Sequence, residues 1–158
     1  MIQCDAIGFL LGALALFVLP LKWVLSAAAA ALFHEVCHMI ILRLLGGRIL
    51  SVRVSFYGCR IMTGPMEDWK QICSILAGPT GSLALLLLRR KLPLIALCGL
   101  IQGLFNMLPM LPLDGGRLLR LFLYRLQPDC AERILIWTGT LCRIGFVILF
   151  FLLFLDIG

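Results

Sequence analysis

The sequence predicts an all-α membrane protein, a bundle of about five transmembrane helices with a short β-hairpin between spans two and three. Three observations carry this. Of 158 residues, 62% are hydrophobic and only 14% are charged, and the mean hydropathy is +1.07. Water-soluble domains are about 45–50% apolar and about 25% charged. The apolar residues also gather in five stretches, and one helical crossing takes about 20 residues. Finally, the segment between the second and third stretches changes its apolar period to two, the mark of a strand. An ordinary soluble fold and intrinsic disorder are excluded by the same composition. A disulfide-stapled secreted scaffold is excluded by length and apolar content. The length fits one domain, residues 1–158.

The first span covers about residues 6–21 and closes on Pro20, Lys22 and Trp23, an interface-like cluster. The first 25 residues lack a basic n-region and a small-residue cleavage site, so they read as a retained span rather than a leader. Span two runs over about residues 24–45 and ends at Gly46-Gly47. Residues 52–57 alternate apolar and polar and read as a strand; Gly58 and Cys59-Arg60-Ile61 follow. Glu67, Asp68, Trp69 and Lys70 form a surface entry into span three, about residues 72–88, which Arg89-Arg90-Lys91 closes. Span four covers about residues 93–108, where Pro109 and Pro112 break it. Span five covers about residues 134–155.

The net charge of +6 belongs to span ends, not to a nucleic-acid surface, because no basic run is interleaved with aromatics. If span one enters from the cytosol, nine cations fall on the cytosolic side: Arg43, Arg48, Arg53, Arg60, Lys70, Arg117, Arg120, Arg125 and Arg133. Four fall outside: Lys22, Arg89, Arg90 and Lys91. The excess favours that orientation. The seven cysteines are odd in number and scattered with no CxxC, which speaks against a disulfide framework or a zinc ribbon.

Ionisable residues inside a bilayer are costly and mark function. Six of the eight carboxylates sit at the ends of apolar stretches; Glu35 and Asp114 do not. The two histidines of the chain, His34 and His38, share span two with Glu35 and spell His34-Glu35-Val36-Cys37-His38. Positions i and i+4 lie one turn apart on one helix face, so both imidazoles can grip one ion, with zinc the default. Glu35 is placed as a base rather than a ligand. Read without a metal, this turn would put three ionisable groups into hydrocarbon, each costing about 2.5 kcal/mol or more when charged.

A catalytic zinc takes three protein ligands and leaves one position open. Asp114 is the one carboxylate between Pro93 and Tyr124, and two prolines and two glycines unwind the chain around it. Its competing role is an N-cap for a helix starting near Gly115. Cys37 is the weaker alternative, since three ligands from one turn would crowd the ion. Ala27, Ala30 and Ala31 lie one to two turns before the histidines, where small residues allow close helix approach. Arg143, in span five, has no acidic partner in the sequence and receives no role.

These motifs, with Asn106-x-x-Pro109-x-x-Pro112-Leu-Asp114-Gly-Gly-Arg117 after His34-Glu-Val-Cys-His38, resemble the site-2 protease family, M50, of intramembrane zinc metalloproteases. The branch it looks most like is the bacterial type that processes a pro-sigma factor in sporulation. Ala77-Gly78-Pro79-Thr80-Gly81-Ser82 is similar to the family's Ala-Gly-Pro-x-x-Asn element, with Ser82 in place of Asn. Cys37 stands where a small residue is usual. The resemblance implies a catalytic core over about residues 24–125, with Zn2+ on His34, His38 and Asp114. It implies Glu35 as the acid/base and Asn106 near the site, positioning substrate. The expected activity is hydrolysis of a peptide bond in or near a transmembrane segment of a membrane protein substrate, in regulated intramembrane proteolysis. The expected place is the bacterial cell membrane, multi-pass, with the site towards the cytosol. A regulatory membrane partner or a homo-oligomer stays open, because the chain shows neither a PDZ nor a CBS domain. The alternative is a non-proteolytic membrane metal-binding or transport protein, which would spread ligands along a pathway.

Overall fold

The computed structural model describes residues 2–4, 19–55 and 58–155. The chain is mostly helical. Its contacts gather into two compact units, Met1–Leu104 and Phe105–Gly158. Most of the expected first span lies outside the described residues, as do residues 56 and 57 of the expected strand.

In the first unit, α1 (Leu21–Leu44) opens after Pro20 and is built from strong helix formers, with an Ala run and five leucines. Its end is set by glycine chemistry. Gly46 takes φ +76°, the Gly46 N–H donates to Arg43 C=O (3.0 Å), and the Gly47 N–H donates to Leu42 C=O (2.9 Å). These two bonds form the Schellman stop, which needs the left-handed conformation that glycine adopts at little cost. A three-stranded sheet follows in the order β1 (Ile2–Cys4), β2 (Ile49–Ser55), β3 (Gly58–Thr63). β1 is parallel to β2 and β3 antiparallel to it, with a register irregularity between Ile49 and Ser51. Nothing in the sequence reading anticipated β1.

α2 (Asp68–Ala84) continues into a 3-10 turn, Leu85–Leu88. Together they supply 21 residues, and α1 supplies 24; among the described residues these two are long and apolar enough to cross a membrane. α3 (Pro93–Asn106) has 14 residues. At 1.5 Å per residue that is about 21 Å, short of the roughly 30 Å hydrocarbon core. The expected fourth span to residue 108 is therefore cut back to Asn106, and five full crossings are not established. α3 buries Ala96, Gly99 and Gly103. These small residues bring its backbone close to the end of α2: a Cβ at Gly99 would lie 2.8 Å from Ser82 O.

In the second unit, α4 (Asp114–Leu126) packs on α5 (Pro128–Leu155). α5 buries Ala131 and Leu135, and turns Ile136, Trp137, Leu141 and Ile144 outward. Arg143 bends back on its own helix, its Nε donating to Gly139 C=O (3.1 Å). No acid is paired with it in this contact.

The distribution of polarity on α1 is inverted relative to a soluble helix. Leu25, Leu32, Ile40 and Leu44 are 51–75% exposed, whereas Ser26, His34 and His38 are buried. Such a helix suits an apolar solvent, with its polar groups turned to protein. Composition, outward leucines and spanning lengths together mark a membrane protein.

Candidate metal centre

The buried face of α1 is a single stripe, Ser26, Ala30, His34, His38 and Leu42, one residue every fourth position. Ala30 belongs to this stripe, Ala31 is half-buried and Ala27 is exposed, so the small-residue face is narrower than the sequence suggested. The stripe packs on α2.

His34 and His38 are 2% and 6% exposed, and their rings meet edge to face with centroids 4.7 Å apart. Their Nε2 atoms are 3.1 Å apart. Two ligands on a tetrahedral ion with bonds of about 2.0–2.1 Å would be about 3.3 Å apart. The opposite ring nitrogens are both held by α2. His38 Nδ1 donates to the Ser74 carbonyl at 2.7 Å. A carbonyl only accepts, so the proton sits on Nδ1 and the Nε2 lone pair faces His34. His34 Nδ1 lies 2.8 Å from Ser82 Oγ. Both rings thus aim Nε2 at one point, the arrangement a divalent ion requires.

α2 is shaped for this contact. Pro79, within the helix, lacks the N–H that would bond the Ile75 carbonyl and loosens the turn that follows Ser74. Gly78 faces the histidines. A Cβ there would lie 2.5 Å from His38 Cε1 and 2.7 Å from His34 Nε2, and closer still to His38 Nε2. A Cβ at Gly81 would lie 3.0 Å from Cys37 Cβ and closer to its sulfur. Cys37 therefore faces the α2 backbone at Gly81.

Asp114 is the first residue of α4 and is 4% exposed. It is not the N-cap: Leu113 holds that position, and no side chain caps the helix. Asp114 Oδ1 is 3.5 Å from Arg117 Nη1, and as a first-turn carboxylate it is favoured by the helix dipole. Gly115 and Gly116 let the preceding loop fold over this turn. A Cβ at Gly115 would lie 2.6 Å from Leu108 O, and one at Gly116 2.6 Å from Leu111 N, with other loop backbone atoms nearer still.

His34 and His38 in the first unit, and Asp114 in the second, are each buried. Two imidazoles with their Nε2 atoms turned to one point fit Zn2+, and a buried carboxylate is the donor type that would complete a three-ligand set with a position left open. Glu35 is half-buried beside His34, and Asn106 is half-buried at the end of α3. The sequence reading noted Ser82 and Gly78 only as parts of a motif and missed Ser74. No local pattern reveals that these residues support the histidines, because the contacts join two helices 36 to 48 residues apart in sequence.

A buried His-Glu-x-x-His turn on an apolar helix, with both Nε2 atoms turned to one point, is the pattern of a membrane zinc metallopeptidase family. The M50 peptidase family model matches residues 59–152. The chain belongs to peptidase family M50, the site-2 protease family. The matched residues include Asn106 and Asp114, while the two histidines precede them. The chain is 33% identical over 132 residues to the putative zinc metalloprotease Rip3 of Mycobacterium tuberculosis, over 68% of this chain and 34% of that protein. It is 28% identical over 136 residues to the putative zinc metalloprotease sll0528 of Synechocystis, over 76% of this chain and 36% of that protein. It thus spans about a third of the length of these relatives. The fold is similar to that of a site-2 protease from Methanocaldococcus jannaschii, with TM-score 0.74 and 22% identity, over 99% of this chain and 82% of that one.

Proposed function

We propose that this protein is a zinc-dependent intramembrane endopeptidase that hydrolyses a peptide bond in or near a transmembrane segment of a membrane-associated protein. The observation that carries the reading is the buried His34–His38 pair, whose Nε2 atoms lie 3.1 Å apart while α2 holds both opposite ring nitrogens. Its position on an apolar helix with outward leucines supports a site at membrane depth.

In this reading His34, His38 and Asp114 hold the ion. Bound zinc supplies a Lewis acid, polarising the scissile carbonyl and bringing the pKa of a water to about 7. Glu35 takes the proton of the attacking water and delivers it to the leaving amine. Asn106 positions the substrate. A helical substrate hides its peptide bonds and must first unwind. A strand of the sheet can hold the unwound segment through main-chain hydrogen bonds. The charge bias places the site towards the cytosol, in a multi-pass arrangement of about five spans. The catalytic core is about residues 24–125 of a single domain covering residues 1–158. Regulated intramembrane proteolysis is the biological setting, with control by a membrane partner or by a second copy of the chain.

The test is the full chain in proteoliposomes with a transmembrane peptide, beside Glu35→Gln. Cleavage by the wild type and none by the variant, with zinc retained, is the expected outcome. A wild type that cuts no such peptide but carries zinc across the vesicle membrane makes it a metal transporter instead. Membrane peptides that accumulate in cells carrying Glu35→Gln, read by mass spectrometry, identify the substrate.

A further inference from the structure

The two histidines are supported differently. His38 Nδ1 is held by a main-chain carbonyl, that of Ser74, which no side-chain substitution removes. His34 Nδ1 is held by a side chain, the Ser82 hydroxyl at 2.8 Å, and Ser82 is 0% exposed. Ser82 lies on the turn after Pro79, on the same buried face of α2 as Gly78.

We propose that Ser82 is a positioning residue for the metal: its hydroxyl accepts the His34 Nδ1 proton, fixes the ring and its tautomer, and so sets how tightly the centre holds zinc. The inference rests on His34 being a ligand. A ligating imidazole must present an Nε2 lone pair, so its proton belongs on Nδ1 and needs an acceptor. Buried away from water, the Ser82 oxygen provides one. Without it the Nδ1–H loses its bond in a dry site, and the ring can rotate or move the proton to Nε2, either of which turns a ligand away from the ion. Outer partners of this kind change metal affinity by about 10–100-fold in other proteins.

Thr80 is the control on the same helix. Its hydroxyl is exposed and bonds its own helix, to Leu76 C=O at 2.7 Å, so Thr80→Ala perturbs α2 without touching the histidines.

The test uses the full chain in detergent, with zinc affinity read by competition against a chromophoric chelator and the ligand field read from the visible spectrum of the cobalt(II) form. Ser82→Ala is expected to weaken zinc binding by about 10–100-fold and to alter the cobalt bands. Ser82→Thr, which restores the hydroxyl, recovers most of both, and Thr80→Ala matches the wild type. Wild-type affinity and spectrum in Ser82→Ala overturn the proposal, as does a Ser82→Thr that binds as weakly as Ser82→Ala, which would assign the loss to packing. His34→Ala separates the two levels. If it leaves zinc affinity unchanged, the metal reading itself fails. If it abolishes binding while Ser82→Ala does nothing, only the role of Ser82 fails.

Discussion

Replacing Gly78 by alanine tests the metal centre through a single added carbon. The new Cβ would lie 2.5 Å from His38 Cε1 and 2.7 Å from His34 Nε2, inside the 3.0 Å that real Cβ atoms respect. The His38 imidazole, whose Nε2 lies nearer still, must therefore shift by more than about half an ångström, which exceeds the tolerance of a preorganised site. The effect on folding is small because two contributions oppose. Alanine in a helix interior gains about 1 kcal/mol over glycine, while overpacking costs about 1–3 kcal/mol. Net destabilisation of the metal-free protein is thus at most about 2 kcal/mol. Zinc affinity, in contrast, should fall by about 100-fold or more, since moving a ligand exceeds the loss of an outer partner. Chelator competition on the purified protein measures the affinity, and denaturant unfolding of the zinc-free form measures the stability. Gly78→Ala with wild-type zinc affinity would refute the reasoning, because the histidines would then not need the space that glycine leaves.

Glu35→Gln should keep zinc and lower the rate of peptide hydrolysis by about 10²–10⁴-fold, the usual contribution of a positioned acid/base; cleavage at the wild-type rate would sink that role. Asp114→Ala should lose zinc by more than about 100-fold, beyond the range of outer partners, measured by metal analysis after dialysis. Chelation should abolish activity in the wild type, and added zinc should restore it. At the start of α2, Trp69 Nε1 donates to Glu67 Oε2 (2.5 Å) and Lys70 Nζ reaches Oε1 (3.2 Å). The Trp69 bond first, then Lys70, holds this carboxyl below its ordinary value of 4.5. Its folded value is the lower one, so its contribution is present above the ordinary carboxylate range and fades as pH falls through the folded value. In a carboxyl NMR titration, Trp69→Phe should move the Glu67 midpoint up towards 4.5; an unmoved midpoint would remove the indole as its cause.

Much of this protein was legible in one dimension because the relevant physics is local. Apolar content decides the solvent, and the four-residue spacing of His34 and His38 decides that they share a helix face. The Gly46-Gly47 pair marks where α1 stops. Asp114 could be singled out because a carboxylate amid apolar residues needs a reason. Other features came only from packing. That α3 ends at Asn106, that β1 joins the sheet, and that Ala27 faces outward depend on contacts between distant segments. So does the work of α2. Ser74 and Ser82 are ordinary helix residues in sequence, and they matter because Gly78 lets that backbone come within reach of both imidazoles. Residue order put His34 and His38 on one helix face, since helical periodicity is an intrinsic property of the chain. The tertiary structure decided their aim, since fixing an imidazole takes a second hydrogen bond from a neighbouring helix.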